Sequence, residues 1–93
     1  MIQSFTDKET EKIFHREISQ KIPQNIQQRA YRKLVMIHAS VSLNDLRSPP
    51  SNHLEKLKGD HKNKYSIRIN DQWRICFFWK DHHSYQVGIE DYH

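Results

Sequence analysis

Apolar residues recur at two different spacings along this chain, and the change falls near residue 53. Ile13, Phe14 and Ile18 lie at helical spacing with Lys12, Arg16 and Glu17 turned outward, which predicts a first amphipathic helix. Thr6 with Glu9 fits a capping box that starts it, after a short N-terminal strand or arm. Pro23 ends it, because the residue before a proline avoids the helical region. Pro23 also suits the opening of a second helix, where its missing N–H is no loss. There Ile26, Ala30, Leu34, Ile37 and Val41 form the apolar stripe, with Arg29, Arg32 and Lys33 off it.

Residues 40–52, rich in Ser, Asn and Pro, read as the longest loop, in which Ser42 and Asp45 are placed to hold one helical turn. From residue 53 the period becomes two. Leu54 and Leu57 mark a short strand ending at Gly59-Asp60, and Tyr65, Ile67 and Ile69 mark a second. A turn at Asn70-Asp71 leads to Trp73, Ile75, Phe77 and Trp79, and a turn over 81–84 leads to Tyr85, Val87 and Ile89. The expected architecture is α+β, two N-terminal helices packed on one face of an antiparallel meander, as one domain over residues 1–93.

Alternation then assigns a second face. With the odd-numbered residues of the last strands toward the helices, Arg68, Arg74 and Tyr92 share the opposite side, with Lys56 and Lys58 nearby. A cationic sheet face carrying an aromatic suits RNA, although solvated sheet faces often carry Arg and Lys as well. Trp73 and Trp79 fall on the helix side and are expected in the core.

Composition adds modest constraints. Lys and Arg outnumber Asp and Glu by 15 to 11, a net charge of +4, which favours phosphate backbones or an acidic partner. Cys76 is the only cysteine, so no internal disulfide forms, and its apolar neighbours make it an inert thiol. His82-His83 falls in a predicted turn without metal-ligand spacing, so neither a metal site nor a cofactor is expected. No run approaches the roughly 20 apolar residues of a membrane span, and the first residues lack a signal-peptide pattern, so a cytoplasmic protein is expected.

Several segments carry a resemblance. Leu54-Glu55-Lys56-Leu57-Lys58-Gly59-Asp60, Tyr65-Ser66-Ile67-Arg68-Ile69-Asn70, Trp73-Arg74-Ile75 and Asp91-Tyr92-His93, in this order and spacing, resemble the HigB toxins of the RelE/ParE superfamily. Met1-Ile2-Gln3-Ser4-Phe5 and the stretch from Ile22-Pro23 to Leu34 fit the same family. The resemblance implies a RelE-like fold with four or five strands. It implies the toxin of a type II toxin–antitoxin system, an mRNA endoribonuclease acting in the ribosomal A site without a metal. Attack of the RNA 2′-hydroxyl on the adjacent phosphate would leave a 2′,3′-cyclic phosphate and a 5′-hydroxyl.

By the same resemblance, Arg74 steadies the scissile phosphate and Lys58 supplies a second cation. Asp91, Tyr92 and His93 match the C-terminal triplet of the active site, with His93 suited to proton transfer. Lys56, Arg68 and His53 are assigned to RNA binding. Several HigB toxins carry a histidine where this chain has Glu55, so Glu55, or His53 two residues earlier, would serve as base. The implied partners are the ribosome, mRNA and a HigA-like helix-turn-helix antitoxin through which alone DNA is met. A ParE-like gyrase inhibitor without nuclease activity shares the fold and is the alternative, although the basic and aromatic C-terminal set argues against it. A non-catalytic interaction module is a third reading.

Overall fold

The computed structural model describes residues 1–59 and 62–92. Two helices, α1 (Lys8–Phe14) and α2 (Gln24–Ala39), precede four strands, β1 (Glu55–Lys56), β2 (Lys64–Arg68), β3 (Trp73–Lys80) and β4 (His83–Asp91). The strands form an antiparallel sheet in the order β1-β2-β3-β4. Helices pack on one face only, which is the expected α+β, RelE-like arrangement.

The first helix is capped and ended otherwise than the sequence pattern suggests. Asp7, not Thr6, is the N-cap, its carboxylate accepting the Thr10 amide at 2.7 Å. Glu9 instead accepts the Ser19 hydroxyl at 2.6 Å. The helix stops at Phe14, well before Pro23, because Arg16 enters the left-handed region (φ 64°). The Glu17 and Arg16 amides then fold back onto the Lys12 and Ile13 carbonyls, a Schellman closure. Ile18, expected on the apolar stripe, therefore lies beyond the helix and is 64% exposed.

In α2, Ile26, Ala30, Leu34 and Ile37 are buried as the stripe predicts. Pro23 is its N-cap rather than its first helical residue, and Val41 lies past its end, exposed. Ser42 and Asp45 do hold a tight helical turn (Leu43–Arg47), the Asp45 carboxylate accepting the Val41 and Ser42 amides at 2.9 and 3.1 Å. These bonds hold its pKa below the usual carboxylate value. A second tight turn, Pro50–Asn52, buries Asn52, whose side-chain amide donates to the Leu46 carbonyl.

The core joins the α2 stripe and Ile13 to Leu46, Ile67, Ile69, Ile75, Phe77, Val87 and Ile89, with Trp73 and Trp79 partly buried against it. The N-terminal arm runs parallel to β4, with bridges from Ile2 to Ser84 and from Phe5 to Val87. Asp81 and His82 both take positive φ between the paired Lys80 and His83, as a two-residue hairpin turn of the primed kind requires.

One irregularity decides the faces of β4. Near the turn, Lys80 pairs with His83, Trp79 with Ser84 and Phe78 with Tyr85. Beyond a bulge, Cys76 pairs with Gly88, Ile75 with Ile89 and Arg74 with Glu90. Gln86 (φ 48°) is the extra residue, and its amide donates to the Ser4 hydroxyl at 2.9 Å. Cross-strand partners share a face, so Tyr85 lies with Phe78 on the outer side and Ser84 lies inward with Trp79. The expected run of Tyr85, Val87 and Ile89 on one face is thus broken between its first and second members.

Candidate active site on the outer sheet face

The outer face is built from residues that pair across all four strands. Glu55 pairs with Ser66, Ser66 with Cys76 and Cys76 with Gly88. The adjacent outward row joins Arg68, Arg74 and Glu90. Ser66 and Cys76 are nonetheless buried, because side chains from that adjacent row and from Tyr92 lie over them.

Arg74 is the most constrained charge on this face. Its Nε donates to the Ser66 hydroxyl at 2.8 Å, and its Nη2 donates to the His53 carbonyl at 2.5 Å and the Ser66 carbonyl at 3.3 Å. Its side chain is only 11% exposed, and Glu55 lies beside it with a carboxylate oxygen 3.9 Å from Nη2. Planar guanidinium geometry turns these fixed bonds into a fixed orientation. The arrangement can present one oriented cation next to one exposed carboxylate.

Tyr92 closes the other side. Its amide donates to the Gln72 carbonyl at 2.5 Å, and its hydroxyl lies 3.5 Å from the Cys76 Sγ. The contact with the thiol, with burial adding to it, pushes the phenol up to about 12, and the Arg74 charge acts against that rise. Burial pushes the Cys76 thiol up to about 11. Both groups are therefore protonated at neutral pH, in keeping with the inert thiol expected.

The remaining expected site residues divide. Arg68 stands across from Arg74 in the β2–β3 pair and is ion-paired with Asp71. His53 approaches Arg74 through its backbone carbonyl. It takes a left-handed conformation (φ 43°) before β1, so strand parity does not carry its ring to the Glu55 side. Lys56 pairs with Tyr65, which puts it on the side of the sheet opposite Glu55 and corrects its expected placement beside Arg74. Lys56 and Lys58 line an open cleft of about 500 Å³ with Leu57, Gly59 and Lys62, apart from Arg74. Asp91 pairs with Trp73 on the inner side, and its carboxylate accepts the Gln72 side-chain amide at 3.1 Å. His93 lies outside the described residues.

Sequence reasoning missed Ser66, which holds Arg74, and Glu90, which faces it. Ser66 carries the right parity but no charge to draw notice. Glu90 falls on the outward parity with Tyr92, but its pairing with Arg74 depends on the bulge: carrying the turn-end register along the hairpin would set Arg74 opposite Ile89 instead. Among the described residues, no group of three or more His, Cys, Asp or Glu side chains is placed to hold a metal ion.

The family model for the RelE-like HigB toxin of type II toxin–antitoxin systems matches residues 3–93. The chain belongs to the HigB-like toxin family. A toxin named HigB-1 from Vibrio cholerae is 38% identical over 82 residues, covering 87% of this chain and 86% of that protein. An endoribonuclease named HigB from Proteus vulgaris is 29% identical over 93 residues, the full length of both chains. An uncharacterised protein of Haemophilus influenzae is 45% identical over 76 residues, covering 72% of this chain and 75% of that protein. Membership of this family implies an antitoxin partner. Among the described residues, no helix of this HigB-like chain is long and apolar enough to cross a membrane.

Proposed function

We propose that this HigB-like toxin is a ribosome-dependent mRNA endoribonuclease whose outer sheet face, centred on Arg74, is the catalytic surface. The observation that carries the reading is Arg74 itself, held by Ser66 and the His53 carbonyl with Glu55 at 3.9 Å. A relative named as an endoribonuclease aligns over the whole chain and supports it.

In the proposed reaction the 2′-oxygen forms a bond to the adjacent phosphorus while the bond from phosphorus to the 5′-oxygen breaks. The 2′-hydroxyl gives up a proton and the departing 5′-oxygen gains one. Glu55 is the proposed base, since it is exposed and stands next to the group that holds the phosphate. Arg74 meets the charge that develops on the non-bridging oxygens, and its orientation is set before substrate arrives. Tyr92, protonated at neutral pH, orients the 2′-hydroxyl or stacks on a base, and His93 is assigned the proton for the leaving oxygen. Lys58, Lys56 and Arg68 are assigned to flanking phosphates, and Asp91 to holding the C-terminal segment. A HigA-like antitoxin silences the enzyme, and the ribosomal A site presents the message.

The test is expression from a tight promoter without antitoxin, with 5′-hydroxyl ends mapped in translated messages. Cleavage within coding frames that needs ribosomes is expected, falling on the order of a hundredfold or more in Arg74→Ala. Growth arrest with intact messages would overturn the nuclease reading and bring gyrase inhibition forward.

A further inference from the structure

A second cationic site lies where α2 meets the end of β2. Arg29, Arg32, Lys33 and Met36 from the helix, Ser51 from the loop, and Arg68, Ile69 and Asn70 enclose a cleft of about 440 Å³. Arg29, Arg32 and Lys33 are spaced to share one helix face, and among the described residues no Asp or Glu lines the cleft.

Three of the four cations are held in ways that leave their charge uncancelled or weakly cancelled. Arg29 donates to the Ile69 carbonyl at 3.3 Å, a neutral acceptor that ties the helix to the sheet. Lys33 is only 8% exposed and donates to the Asn52 side-chain oxygen, again a neutral acceptor. Burial, with the nearby Arg29 charge adding to it, holds its pKa below the usual lysine value. Arg68 does have a carboxylate, but that of Asp71 is 95% exposed, and such surface pairs are weak and exchangeable. Like charges held together on a rigid helix are unfavourable until an anion joins them.

The cleft also has a direction. Arg68 belongs to it and is the cross-strand neighbour of Arg74. We infer that the cleft is a distinct binding subsite for RNA backbone phosphates flanking the one held at Arg74, so that the message runs from the sheet face onto α2. This inference rests on the ribonuclease reading and extends it. Guanidinium forks on Arg29 and Arg32 suit phosphate oxygens, and such contacts position RNA without reading its sequence.

The test uses the full chain and a single-stranded 2′-O-methyl RNA, which lacks the attacking hydroxyl and is not cut. Binding is measured by fluorescence anisotropy across a salt series. Each phosphate neutralised on a single strand contributes about 0.7 to the slope of log affinity against log salt. The double substitution Arg29→Gln, Arg32→Gln is expected to weaken binding on the order of tenfold at low salt, equally for different sequences. It should also flatten the slope by about 1.4. Arg29→Lys with Arg32→Lys keeps the charges and should keep the slope. Should the loss of the Ile69 contact unfold the double variant, Arg32→Gln alone is expected to flatten the slope by about 0.7.

A wild-type slope in the glutamine variants overturns the inference; if wild-type protein from the same preparation still cuts translated message, the ribonuclease reading survives it. Wild-type protein that neither binds nor cuts RNA overturns both. Polyglutamate binding that disappears in the glutamine variants, with the RNA slope unchanged, would make the cleft a protein-docking site and also overturn the inference.

Discussion

An arginine side chain is long and flexible, so its value as a fixed charge depends on what pins it, and for Arg74 that is chiefly Ser66. The hydroxyl takes Nε and the carbonyl takes Nη2, from a residue that is itself fully buried in the strand pair beneath. Removing the hydroxyl in Ser66→Ala leaves the charge in place but frees its orientation. Hydrogen bonds to charged groups are worth about 1.5–3 kcal/mol. Cleavage is expected to fall roughly tenfold, in kcat rather than through a rise in KM, as for a contact used in the transition state. Unchanged kinetics would mean that the His53 carbonyl suffices. At this scale much of the candidate site was legible, in the sense that the structure brings several of its residues together. Arg74, Glu55 and Tyr92 stand in recognisable segments and alternate with core residues. Ser66 was not legible, since a buried serine in a strand announces no role until its neighbour is seen lying over it.

Among the elements, β4 carries the clearest lesson. Its two halves obey opposite parity, and the bulge at Gln86 lets Tyr85 face outward while Val87 and Ile89 face the core. The bulge is not marked by glycine or proline; it is held from outside, by the Ser4 hydroxyl of the N-terminal arm. The arm also presses on the strand at Gly88, where an added Cβ would sit 2.1 Å from the Thr6 Oγ1 and 3.3 Å from the Thr6 Cβ. Gly88→Ala must therefore displace the Thr6 side chain, the arm or the strand. Such overpacking typically costs about 1–3 kcal/mol. Urea unfolding is expected to show a loss of that size, and a variant as stable as wild type would show that the arm yields freely. The short first helix followed the same logic. Pro23 predicted an end, but the left-handed Arg16 supplied an earlier one, and a non-glycine residue there gives little sequence signal.

Across the whole molecule, the contact of the Tyr92 hydroxyl with a buried thiol ties the outer sheet face to stability at high pH. Folding raises the Cys76 pKa from 9.0 to about 11 and the Tyr92 pKa from 10.0 to about 12. Below pH 9 both groups are protonated in either state, and their contribution is fully present. Above it the unfolded chain ionises first, so stability falls as pH rises, from 9 to about 11 for Cys76 and from 10 to about 12 for Tyr92. Chemical unfolding on both sides of pH 9 should show this decline, and Cys76→Ala should remove its earlier part and shrink the later part, since the thiol is the main cause of the Tyr92 rise. A decline identical in Cys76→Ala would assign the alkaline sensitivity to other groups.

The sequence by itself determined the α+β class, the helical stripe of α2, the four strands of the meander and the residues from which the site is drawn. Those follow from hydrophobic period and local turn chemistry, which act over a few residues. Only the tertiary structure decided which of those residues meet. Register put Glu55 rather than Lys56 on the side of Arg74, the bulge set Glu90 opposite Arg74, and packing of α2 against β2 gathered Arg29, Arg32, Lys33 and Arg68. A one-residue change in pairing turns every later side chain to the other face, and that change is set by contacts from distant parts of the chain.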